Sequence, residues 1–281
     1  WAVFKKTPPA LPGAVTIVCF IIDPDFHALR KRGGNLFLSA VACGKLSGTG
    51  WALSKQASCK EAADLRERRM DMNYYVGLDN GGTTTKAAIF DAKGKEIATA
   101  STATKMLVPQ PGFTERDMEE MWEANCLVIR EALKKSGAAP ADIRCVAVCG
   151  HGKGLYLWGK DGRPAYHGII STDNRAWRYM EAWRKDGTEE KAFQLSCQHV
   201  LASQPVALLA WMRDHSPEVL ENTQWIFECK DYVRFRLTGE PRAELTDYSG
   251  ANLVNLHTAQ YDPALLALFG LSDCMEKLPP L

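Results

Sequence analysis

From Met72 onward, apolar and polar positions follow a readable order. Asn73 to Asp79 is an apolar run that predicts a strand, and Gly81-Gly82 after it predicts a tight turn. Thr83 to Asp91 predicts a second strand, closed by Ala92-Lys93-Gly94, and Glu96 to Lys105 a third. At Asp117 the period changes. Met118, Met121, Trp122, Leu127, Val128, Ile129 and Leu133 recur at helical spacing, so 117–136 predicts an amphipathic helix. Ile143 to Cys149 reads as a buried strand and Leu155 to Trp158 as another, ended by a Lys160-Asp161-Gly162 turn. Further helices are predicted over 174–185, 205–215 and 231–237. Three strands in meander, then helix and strand, make an α/β domain with a mixed sheet flanked by helices. No internal repeat or low-complexity run interrupts it.

The first 71 residues lack this order. Short apolar runs, Ala14 to Ile22 and Leu36 to Cys43, alternate with Gly, Ser and Lys without a period. The expectation is therefore a two-part chain: residues 1–71 a non-native or disordered N-terminal extension, and 72–281 one folded domain. Glu67-Arg68-Arg69 can be encoded by GAA-AGG-AGG, a bacterial ribosome-binding string shortly before Met70 and Met72. Translated upstream DNA is thus one origin for the extension, and a genuine extension is the alternative.

Composition narrows the class. The 281 residues are 46% hydrophobic and 24% charged, with a formal net charge of +1, ordinary values for a globular protein. A near-neutral balance removes the electrostatic ground for a nucleic-acid or anionic-membrane partner. Nine scattered cysteines without a CxxC pair do not form a disulfide framework, and Cys145 and Cys149 read as small buried hydrophobes, so a reducing cytoplasm is expected. The run 14–22 is too short to span a bilayer, and Asp23-Pro24-Asp25 after it is no signal-peptide cleavage site.

The densest chemistry lies in Gly77-Leu78-Asp79-Asn80-Gly81-Gly82-Thr83-Thr84-Thr85-Lys86. A strand delivers Asp79 to its carboxyl end, where a carboxylate can hold Mg²⁺ through water. Gly81 and Gly82 can adopt positive φ and let the backbone approach a ligand. The turn's N–H groups with the Thr83 and Thr84 hydroxyls can meet phosphate oxygens, and Lys86 adds a cation for a transferred phosphoryl group. A plain β-hairpin is the competing reading. Because the loop turns into a strand and not a helix, it is neither a Walker loop nor a Rossmann fingerprint.

Asp-x-Gly-Gly-Thr-x-x-Lys after an apolar strand resembles the first phosphate motif of the actin-like ATPases, a superfamily of sugar kinases, actin and Hsp70 chaperones. Downstream segments resemble the FGGY family of sugar kinases. Pro111 to Asp117 is similar to its "pGwvEqdp" element, with Asp117 also a helix N-cap. Gly150-His151-Gly152-Lys153-Gly154 stands where xylulose kinases carry Gly-Gln-Met-His-Gly, and the Gly-Lys-Gly form is similar to L-xylulose kinases, with His151 in place of Gln. Asp173-Asn174-Arg175 resembles the family's Asp-x-Arg. Gln204 to His215 resembles a family signature whose Lys is Leu208 here, and it reads as packing. Lys230 to Glu240 is similar to "KDYlrlrLTGe" and Thr246 to Gly250 to "sDasg"; this pair reads as mainly structural, with Gly239 capping a helix.

The resemblance covers 72–281 and implies an actin-like ATPase (ribonuclease H-like) fold. It also implies ATP-dependent phosphorylation of a sugar hydroxyl, with ATP and Mg²⁺ as cofactors and a ketopentose such as L-xylulose as substrate. Asp79, Gly81, Gly82, Thr83, Thr84 and Lys86 would handle phosphate and metal. His151, Gly152, Lys153, Asp173 and Arg175 would hold the sugar, Asp173 accepting from two hydroxyls or serving as a helix N-cap. The family's general base is an aspartate in a later Gly-x-x-Asp loop, expected beyond Leu281, so this part alone is expected to be nearly inactive. A homodimer is left open. Two other readings are a non-catalytic sugar-binding or regulatory protein and an Hsp70-like ATPase; the His151 and Asp173 segments give the latter no support.

Overall fold

The computed structural model describes residues 73–281 and the backbone strand Val18–Ile21. The expectation that residues 1–71 are a non-native extension otherwise lies outside the described residues.

Five strands make the main sheet: β1 (Val18–Ile21), β2 (Tyr74–Asn80), β3 (Thr84–Asp91), β4 (Glu96–Ala103) and β6 (Ile143–Gly150), in the order β1-β6-β2-β3-β4. Between β4 and β6 lie the short strand β5 (Glu115–Arg116) and helix α1 (Met118–Ser136). β2 pairs parallel with β6 and antiparallel with β3, so the sheet is mixed, as expected. The parallel pairing matters most for the site. It brings the carboxyl ends of β2 and β6 to one edge, Asn80 opposite Gly150.

Alternation fixes which residues serve the core. Val76 and Leu78 of β2 and Ala87 and Ile89 of β3 are buried in one cluster with Met118, Met121, Val128 and Ala132 of α1. Each Val, Leu, Ile or Met side chain among them contributes roughly 1.5–3 kcal/mol by leaving water. α1 starts where its chemistry says it should. Asp117 is the N-cap and accepts from the Glu120 N–H, Glu119 and Glu120 lie in the first turn, and Gly137 ends the helix at φ 70°.

After β7 (Tyr156–Gly159) and β8 (Gly168–Ile169) come α2 (Trp177–Lys185), α3 (Thr188–Ser196), α4 (Pro205–His215) and α5 (Pro217–Asn222). β9 (Thr223–Phe227), α6 (Cys229–Thr238), α7 (Leu245–Tyr248), β10 (Val254–Asn255), β11 (Gln260–Tyr261) and α8 (Pro263–Leu268) complete the chain. A second core gathers around α4, where Val206 to Ala210 and Met212 are fully buried. Leu208, standing where the related signature carries Lys, is one of them, and Gly239 caps α6 at φ 75°; both match the sequence reading. α3, α5, α7, α8 and β9 were not predicted. β9 is five residues long and pairs antiparallel with β7, a partner far away in sequence. A short apolar run does not reveal such a partner.

One cysteine departs from expectation: Cys145 is disulfide-bonded. Cys126, Cys149, Cys197, Cys229 and Cys274 are free thiols. No helix among the described residues is long and apolar enough to cross a membrane.

Candidate functional site

The expected phosphate turn is a tight hairpin tip. Gly81 donates its N–H to Thr84 O at 3.0 Å, and neither Gly81 nor Gly82 has positive φ. This corrects the expectation that the glycines serve left-handed backbone and that the Gly81 amide is free for phosphate. What glycine supplies here is space: a Cβ at Gly82 would meet nothing within 4 Å, so the backbone lies open to a ligand. Thr83 is exposed and Thr84 half-buried at the tip, whereas Thr85 is buried. Asp79 and Lys86 are exposed and stand directly opposite each other in the β2–β3 ladder. Both line an open groove of about 690 Å³, with Tyr75, Phe90, Ser101 and Cys149.

Buried polar groups hold this tip from behind. Asn80 and Asn125 exchange two amide hydrogen bonds, 3.1 and 2.8 Å, and Asn125 also donates to Met121 O at 2.8 Å. Arg116, 1% exposed, sends Nη2 to the carbonyls of Gly81 at 3.0 Å and Gly82 at 2.6 Å. Among the described residues it forms no ion pair. A buried guanidinium without a counter-ion adds positive potential under a loop suited to phosphate.

The second loop adjoins the first. His151 N–H donates to Asn80 O at 3.2 Å, so the β6 loop is tied to the phosphate turn. Gly154 must be glycine, since it has φ 85° and a Cβ would lie 2.3 Å from Ile169 O. Gly152 is exposed, and Lys153 is half-buried at φ 66°, its N–H donating to Glu228 Oε2 at 3.0 Å. The His151 side chain turns inward instead, its Nε2 2.8 Å from the Tyr156 hydroxyl. Burial, with Arg116 adding to it, lowers its pKa to about 4, so the ring is neutral at pH 7. The expected sugar contact from the His151 side chain is therefore corrected to a support under the loop.

Asp173 and Arg175 are also corrected. Both side chains are 0% exposed and bound to each other, Nη2 to Oδ2 at 2.9 Å. Asp173 Oδ2 also accepts from Thr114 N–H at 2.7 Å, and Oδ1 accepts from Arg175 N–H at 2.8 Å and Nε at 3.0 Å. Each oxygen thus already accepts two bonds, leaving none for a sugar. Nor does Asp173 cap α2, whose N-cap is Ala176. Arg175 Nη2 continues to Glu115 Oε1 at 2.6 Å, with the guanidinium 4.1 Å over the Phe113 ring. Glu115 sits beside Arg116, so the Asp-x-Arg loop braces the strand that braces the phosphate turn.

Sequence reading missed Arg116, Asn80, Asn125, Glu115 and Glu228. An Arg next to a helix N-cap and an Asn inside a turn look like surface residues until the fold buries them.

Residues 74–281 match the family model of the FGGY carbohydrate kinases, N-terminal domain. The chain belongs to the FGGY family of carbohydrate kinases. This FGGY domain is 38% identical over 210 residues to a probable L-xylulose kinase of Pasteurella multocida, covering 75% of this chain and 44% of that protein. It is 36% identical over 208 residues to the L-xylulose/3-keto-L-gulonate kinase of Escherichia coli, covering 74% and 42%. A ligand-bound xylulose kinase from Lactobacillus acidophilus superposes with TM-score 0.69 at 24% identity, covering 74% of this chain and 41% of that one. That likeness bears on the fold alone. The chain thus spans less than half the length of these relatives.

Proposed function

We propose that the chain is the N-terminal domain of an ATP-dependent kinase that phosphorylates a hydroxyl of a small sugar, a ketopentose such as L-xylulose. The observation that carries this is the meeting of two loops at one sheet edge, joined by the His151–Asn80 hydrogen bond. One is open, glycine-bearing and backed by a buried cation, as phosphate requires. The other presents Gly152 and the Lys153 ammonium beside it, as polyol hydroxyls require.

In this reading the exposed Asp79 carboxylate would hold Mg²⁺ through water, and the ion would supply screening of phosphate charge. Thr83, Thr84 and the Gly82 backbone orient the phosphate chain, and Lys86 lies opposite Asp79 to meet the transferred group. Lys153 orients the sugar. Transfer also needs a general base for the proton of the attacking hydroxyl, a contribution of about 10²–10⁴ in rate.

Calorimetric titration with pentuloses, pentoses, hexoses and glycerol tests the substrate class. Saturable heat with one ketopentose, weakened about tenfold or more in Lys153→Ala, is the expected result. Equal heats for wild type and K153A, or preference for glycerol, would remove the ketopentose assignment.

A further inference from the structure

Arg116 is fixed on three sides before its side chain reaches the glycine turn. Its backbone pairs with Gly168 in the β5–β8 ladder. Asp117 after it is the N-cap of α1. Glu115 before it binds Arg175 at 2.6 Å. The guanidinium is buried, and its strongest acceptors are main-chain oxygens. Nη1 meets only the Met121 sulfur at 3.5 Å, and Nε is buried with no acceptor. Nη2 binds two successive carbonyls, Gly81 O at 3.0 Å and Gly82 O at 2.6 Å.

Fixing two carbonyls also fixes two amides. In a trans peptide the C=O of one residue and the N–H of the next lie in one plane and point in opposite directions. No described peptide is cis. With Gly81 O and Gly82 O drawn inward to Arg116, the Gly82 and Thr83 N–H groups face the other way, at a tip where both residues are exposed. Neither N–H has an acceptor among the described residues. The Gly81 N–H differs, being spent on Thr84 O at 3.0 Å. Thr83 is anchored on its far side as well, where its carbonyl accepts the Thr104 N–H at 3.0 Å. Successive N–H groups facing outward make an anion-binding concavity. A cation on a carbonyl also polarises the peptide, so its N–H becomes the stronger donor.

We infer that Arg116 is a positioning residue for phosphate: by drawing in the Gly81 and Gly82 carbonyls, it aims the Gly82 and Thr83 N–H groups at a phosphoryl group that Arg116 itself never touches. The inference rests on the proposed phosphate role of this turn, and it assigns the aim of the turn to a side chain on β5.

The test follows the backbone amides of the full chain by NMR during titration with inorganic pyrophosphate in the absence of metal. In wild type the Gly82 and Thr83 amide protons should move downfield and saturate, while the Gly81 amide, already bonded, moves less. Arg116→Met, checked for folding by the dispersion of its spectrum, should bind about tenfold more weakly or worse, the worth of one charge-assisted hydrogen bond. A residue that only stabilised the fold would leave the affinity of the folded molecules unchanged. Arg116→Lys keeps the charge but not the planar fork, so its affinity should fall below wild type and above R116M. R116K carries the comparison alone if R116M does not fold. Wild-type affinity in R116K would mean that charge acts without aim, and wild-type affinity in R116M that the residue is idle; either overturns the inference. Saturable binding that leaves the Gly82 and Thr83 amides unmoved would overturn it too, with the phosphate reading left standing. No binding to the folded wild type would sink both.

Discussion

Replacing Arg116 by methionine removes the cation under the phosphate turn while keeping most of the volume. Two bonds from Nη2 are lost, to Gly81 O at 3.0 Å and Gly82 O at 2.6 Å. A hydrogen bond with a charged partner contributes roughly 1.5–3 kcal/mol. Gly81 is half-buried and Gly82 exposed, so water can reach both orphaned carbonyls. Relief from burying an unpaired guanidinium offsets part of the remainder. The net loss worked from this geometry is about 2 kcal/mol, one such bond rather than two. With a urea slope of about 2 kcal/mol/M, that moves the unfolding midpoint down by about 1 M, followed by tryptophan fluorescence at constant slope. Arg116→Lys should recover only part of the loss, because an ammonium replaces the planar fork. An unchanged midpoint in R116M would refute the idea that Arg116 holds the turn.

Other variants separate the expected roles from the observed ones. Asp173→Ala should destabilise the domain by about 3–5 kcal/mol, because it leaves Arg175 buried with half its partners; a solvent-facing sugar ligand would barely move the unfolding midpoint. His151→Gln should change the pH profile with a defined sign. The folded state lowers His151 from 6.5 to about 4, so the unfolded chain binds its proton first as pH falls. Relative to H151Q, wild type should therefore lose stability between pH 6.5 and 4, by about 3 kcal/mol in all. Parallel urea-midpoint profiles of the two proteins across that range would show that the ring is not buried in neutral form.

Local pattern determined much of this protein. Period-two and period-3.6 spacing placed β2, β3, β4, β6 and α1 to within two residues, and Asp117 and Gly239 marked helix ends by capping chemistry that acts over one turn. The glycine turn after β2 was legible for the same reason, since its residues are contiguous. Direction and burial were not legible, because they depend on partners far along the chain. Only the parallel register of β2 and β6 sets Asn80 beside Gly150. Only β5, lodged behind the turn, makes Arg116 a buried support, and only Tyr156 draws the His151 ring inward. Asp173 shows the limit most sharply. A carboxylate before an arginine reads equally as ligand, cap or ion pair, and what decides among them is which donors the folded chain brings to its four acceptor positions.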